Sequence, residues 1–116
     1  MPPKSNPLRL NPLQCRTLAL LQAVARDPNA AKKDERSGSV HITRLPHAHG
    51  DHFHVGEFIV RAKDATGLSN ESVWAALDRK GLVRAEFPHN IHITSRGMEY
   101  DSGVAHQVLH RSTHEA

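Results

Sequence analysis

The chain has 116 residues, 38% of them apolar, a formal net charge of +3 and a single cysteine. That length suits one domain with a modest core. One cysteine excludes an internal disulfide framework. No apolar run approaches the ~20 residues of a membrane span. The start, Met1 to Pro7, lacks the hydrophobic stretch of a secretory leader. These features predict a cytoplasmic protein with no membrane partner.

The basic balance, with a sequence pI near 9.4, leans toward an anionic partner. Its distribution tempers this. Residues 57–100 hold six Lys or Arg and six Asp or Glu. Ten histidines are the compositional oddity.

Residues 1–10 contain three prolines without periodicity and predict a flexible arm. Asn11-Pro12 opens a helix, with Asn as N-cap and Pro in the first position. Asp27-Pro28 ends it near Arg26. Cys15 falls inside this helix among apolar residues and predicts a small buried side chain. The mixed charge run of 29–39 predicts a solvated loop or an extended helix end. Residues 39–45 alternate as a strand, and 51–55 return as a second one after the Pro46 to Gly50 turn. This predicts a His-rich hairpin over about 39–55.

Val55, Phe58, Ile59, Ala62 and Ala65 recur at threes and fours, which predicts a helix. Gly67 is its expected left-handed stop. A further helix follows, with Ser69 as N-cap and Leu68 stapled to Val73. Gly81 ends that helix. Residues 82–87 and 91–94 predict a hairpin around Pro88-His89-Asn90. Ser95 starts a short helix. Residues 101–116 predict a frayed helix or a disordered end, with His106, His110 and His114 four apart.

The run Ala62-Lys63-Asp64-Ala65-Thr66-Gly67-Leu68-Ser69, then Val73, Ala76-Leu77 and Gly81-Leu82-Val83, resembles winged helix-turn-helix bacterial regulators. Ile93-Thr94-Ser95-Arg96-Gly97 is similar to the T-x-x-G that follows their wing. The resemblance implies an α+β winged-helix domain over 11–100, with the His-rich hairpin inserted after the first helix. It implies a transcriptional regulator that binds duplex DNA and is not an enzyme. Carried over by position, the DNA-facing residues are Ser69, Asn70, Ser72, Trp74, Arg79, Lys80, Arg84 and His89. Asn pairs with adenine, the hydroxyls and cations with phosphates. Glu71 and Asp78 on the same helix are unfavourable toward phosphate. An exposed Trp74 also suits a protein partner, which makes a protein-interaction module the alternative. If Trp74 instead packs against the 39–55 hairpin, it is core. A homodimer through the first helix and the C-terminal segment is also expected.

His47-Ala48-His49-Gly50-Asp51-His52 spells H-x-H-x-D-H, the metal motif of metallo-β-lactamase-like hydrolases. That fold needs later ligands and two packed sheets, and only 64 residues follow His52. The smaller reading is a local metal site. Alternate strand residues share a face, so His52 and His54 point together. His47 and His49 across the turn join them, with Asp51 or His41 as a further oxygen or nitrogen ligand. Imidazoles suit zinc, nickel or copper, so a small metal-binding protein is a further alternative. The competing reading is a polar, solvated hairpin.

Overall fold

The structure is a computed structural model that describes residues 5–111. It is a mixed α+β fold with two four-stranded antiparallel sheets. Helix α1 is Pro12–Ala25. The Asn11 side chain accepts from the Gln14 backbone, and the Gln14 side chain accepts from the Asn11 backbone. This reciprocal box satisfies donors that a helix start leaves open. Nine consecutive or near-consecutive residues of α1, Cys15 and 17–24, are buried. A helix that is covered all round belongs to the interior. α1 is therefore the central element, and a dimer contact through it would displace elements already packed there.

Strands β1 (Ala31–Lys33) and β2 (Val40–Ile42) form a hairpin. The charged run expected to be a loop thus enters the sheet through Ala31, Lys32 and Lys33. Strand β3 (Ala48–His49), β4 (His52–Val55) and β5 (Phe58–Arg61) form a meander. Its two turns each span two residues and start with a glycine at positive φ, Gly50 at 66° and Gly56 at 57°. Glycine takes this conformation without a Cβ clash.

The helix expected over 55–65 is therefore replaced by the end of β4, β5 and a 3-10 turn at Ala62–Asp64. A second 3-10 turn, Thr66–Ser69, leads into helix α2, Glu71–Arg79. Gly67 is not left-handed. It is buried because its backbone meets Thr17 of α1, where a Cβ would collide with the Thr17 hydroxyl. Asn70, rather than Ser69, caps α2 by accepting from the Ser72 amide at 3.0 Å. Gly81, at φ 76°, ends α2 as expected. The Leu82 amide bonds the Leu77 carbonyl and the Gly81 amide bonds the Asp78 carbonyl, which is a Schellman stop.

Strands β6 (Val83–Glu86) and β7 (Asn90–Ile93) form the expected hairpin. The first sheet runs β1-β2-β7-β6, so β2 pairs with β7 and not with β4. The predicted 39–55 hairpin is thereby split between the two sheets. Helix α3 is Ser95–Glu99, α4 is Ala105–Val108 and strand β8 is His110–Arg111. β8 pairs with β5 to complete the second sheet. The described part of the C-terminal segment is thus built in. His106 lies on α4 and His110 on β8, so they share no helix face, and His114 lies outside the described residues.

The described part of the arm is likewise tied down. The Tyr100 hydroxyl donates to Asn6 Oδ1 at 2.6 Å and accepts from the Leu8 amide at 2.9 Å. No helix among the described residues is long and apolar enough to cross a membrane.

Candidate functional sites

Two surfaces collect the residues singled out from the sequence. The first joins α2 to the open face of the first sheet. α2 lies along edge strand β6, where Asp78 Oδ2 accepts from the Ala85 amide at 3.0 Å. That bond explains one of the two carboxylates on α2: it closes an edge-strand donor. Ser72, Arg79, Lys80, Arg84 and His89 are exposed, and Asn70 is half-buried. Ser69 Oγ donates to the Thr66 carbonyl at 3.2 Å. The oxygen of Asn70 is already engaged as the helix cap, so a bidentate adenine contact would compete with the start of α2.

Trp74 does not face solvent. It is 1% exposed, and its ring stands edge-on to Phe87 at 4.9 Å between centroids. The indole is core, which removes it both as a DNA contact and as a protein anchor. Its packing partner is the start of the β6–β7 turn, not the 39–55 hairpin. The indole Nε1 meets no acceptor among the described residues. Helical spacing already put Trp74 next to Val73, Ala76 and Leu77, all buried. The apolar signal for covering position 74 lies in Ala85 of the adjoining strand and Phe87 of the turn that follows it.

The open sheet face brings together residues that lie far apart in the sequence. Registration across four strands sets Lys32, His41, His92 and Arg84 in one row. His41 and His92 stack at 4.2 Å with 12° between ring planes, and His41 Nε2 lies 2.9 Å from Asn90 Oδ1. His92 titrates below the ordinary histidine value. Partial burial is the main cause, followed by the proximity of His41 and Arg84. The signal in the sequence was period-two alternation, with Val40/Ile42 and Ile91/Ile93 inward and His41 and His92 outward. Which strands would be neighbours was not legible there.

The second surface is the β3–β4 turn. His52 Nε2 and His54 Nε2 stand 3.3 Å apart, and His52 Nδ1 is 3.3 Å from Asp51 Oδ1. The His49 ring is edge-on to His54 at 5.3 Å, and the His52 ring is edge-on to His54 at 4.9 Å. The strand alternation thus brings His52 and His54 together as expected. His49 arrives by cross-strand pairing with His52. His47 precedes β3 and is exposed. Among the described residues no three histidine, cysteine or acidic side chains already converge as a metal-ready group.

Cys15 is 3% exposed. Burial pushes its thiol above the ordinary value, against a smaller lowering by Arg16. A raised thiol is a poor nucleophile, so Cys15 is a packing residue. No family model, curated protein or solved structure matches this chain.

Proposed function

We propose that this protein is a winged-helix-type module that binds duplex DNA, acting in transcription regulation. The order of elements supports the winged-helix reading. In chain order come α1, the β1–β2 hairpin, the β3–β5 meander, the 3-10 corner, α2 and the β6–β7 hairpin, whose return strand β7 pairs with β2. The 3-10 turns at 62–69 stand where a helix-turn-helix has its first helix. The hairpin corresponds to the wing.

The observation that carries the DNA reading is the placement of the cations. Arg79 and Lys80 at the end of α2 and Arg84 on the adjoining strand are exposed. None lies within ion-pair distance of a carboxylate among the described residues. Arg84 continues into the row His92, His41 and Lys32. Asp78, which would repel phosphate, is turned to the Ala85 amide. Such an arrangement suits phosphate neutralisation more than base reading, so affinity should depend on salt more than on sequence.

The test is a salt titration of duplex binding by fluorescence anisotropy, starting near 50 mM, where the counterion effect is large. The expected result is binding that weakens linearly in log–log form. Changing Arg79, Lys80 and Arg84 to Ala together should reduce the slope by about 3, roughly one for each phosphate contact. Absence of binding at the lowest salt refutes the proposal.

A further inference from the structure

We propose that the β3–β4 turn is a zinc site, with His52 and His54 as its preset ligands, His49 as the third, and Asp51 as the group that orients His52. The site is independent of DNA binding and is defined by the geometry of the histidines. Two nitrogens held at zinc's usual 2.0–2.1 Å in a tetrahedron lie about 3.3 Å apart. The same pair on a square-planar copper or nickel ion lies about 2.9 Å apart. His52 Nε2 and His54 Nε2 are 3.3 Å apart, which is the tetrahedral edge.

The rings agree with the nitrogens. Imidazoles that share one tetrahedral ion through their outer nitrogens have centroids about 5 Å apart and avoid being coplanar. The His52–His54 and His49–His54 pairs sit at 4.9 and 5.3 Å, with interplanar angles of 81° and 67°. His54 is common to both pairs, so it is the centre of the group.

The tautomer also follows. Asp51 Oδ1 faces His52 Nδ1, and a carboxylate accepts a proton there. Nδ1–H is then the donor, which leaves the lone pair of His52 on Nε2, toward His54. This is the carboxylate–histidine arrangement that orients metal ligands and raises their basicity. Without a cation, His54 Nε2–H must donate to His52 Nε2. With one, the His54 proton moves to Nδ1, and the Nε2 lone pairs of both rings converge on the ion. Gly50 allows the two-residue turn that sets His49 opposite His52. The exposure of His49 and His54 leaves His49 free to swing onto the ion and a fourth position open to water.

The test uses zinc chloride and the full chain, read by calorimetry and by the imidazole ¹⁵N shifts of the histidines. One zinc per chain should bind with a dissociation constant near or below about 10 µM, well inside the useful affinity scale. His52→Gln and His54→Gln should each weaken binding by about 100-fold. Asp51→Asn, which leaves every ligand in place, should weaken it by about 10-fold or more. His89→Gln, in the other hairpin, should leave it unchanged. In the unsubstituted chain, zinc should shift Nε2 of His52 and His54 while His52 Nδ1 stays protonated. This second measurement does not depend on how any variant folds. A dissociation constant weaker than about 1 mM, loss of the His52 Nδ1 proton on binding, or equal effects of His89→Gln and His54→Gln would each overturn the proposal.

Discussion

Replacing Gly97 by alanine tests the packing account most directly, because the added methyl has nowhere to go. Gly97 is buried in α3. A Cβ there would collide with the Leu82 carbonyl oxygen and stand 2.8 Å from Ile93 Cγ2. The Leu82 carbonyl cannot retreat, since it sits at the junction of α2 and β6 and accepts from the Thr94 amide at 3.1 Å. α3 must therefore move. It is held by the Gly97 amide, which donates to Thr94 Oγ1 at 3.0 Å. It is also held by Gln22 of α1, whose amide nitrogen donates to the Gly97 and Tyr100 carbonyls at 2.7 and 2.8 Å.

Gln22 is 6% exposed, so losing its acceptors strands a buried donor. Overpacking costs about 1–3 kcal/mol, a stranded donor about 1–3 kcal/mol and a lost cap about 1 kcal/mol. These effects overlap, and alanine's better helix propensity returns about 1 kcal/mol. The expected net loss is about 3 kcal/mol, a large part of the 5–15 kcal/mol typical of a domain. Urea unfolding followed by the fluorescence of Trp74 should show a midpoint lower by about 1–2 M at an unchanged slope of about 2 kcal/mol/M. Arg96→Ala, its exposed neighbour, should stay within about 0.5 kcal/mol of the parent. A Gly97→Ala chain as stable as the parent, or more stable, refutes the close-approach argument.

Trp74→Ala should cost about 3–5 kcal/mol by opening a cavity between α2 and Phe87. Trp74→Phe should cost less and leave duplex affinity unchanged; a tenfold loss of affinity in a well-folded Phe variant would mean that the indole meets DNA after all. A pH series should show stability falling as the pH drops below about 6.5, the ordinary histidine value. His92 has a depressed folded-state value, so between the two values the unfolded chain binds the extra proton and folding weakens on acidification. The groups facing it are His41, Arg84 and Glu86. His92→Asn should flatten that part of the profile, and an unaltered profile would place the sensitivity in other histidines.

The local punctuation of this chain was legible residue by residue. Asn11-Pro12, Gly81 and the Thr94 to Gly97 stretch each use short-range chemistry: a cap, a left-handed stop, a hydroxyl that accepts a nearby amide. Their outcome depends on a few neighbours, so the elements they bound fall where expected. The β6–β7 hairpin and the shared face of His52 and His54 were legible for the same reason. The 55–65 segment was not. Val55, Phe58, Ile59, Ala62 and Ala65 fit a helical period, but a run of this length also fits a buried strand. Gly56 and the Phe58-Ile59-Val60 cluster were the contrary signals, a turn former and strand-favouring side chains.

What decided between the two was tertiary. β5 gains β4 on one side and β8 on the other, and neither partner can be named from local periodicity. The same holds for β2, which leaves its sequence neighbour β4 to pair with β7, and for the row from Lys32 to Arg84 that this pairing creates. The sequence by itself determined where α1 starts and stops, where α2 stops and which histidines share a strand face, because those depend on atoms a few residues apart. The tertiary structure alone decided which strands meet, that Trp74 is covered and that Gly67 must lack a side chain beside Thr17, because hydrogen-bonding edges and buried faces are satisfied by whatever distant segment reaches them.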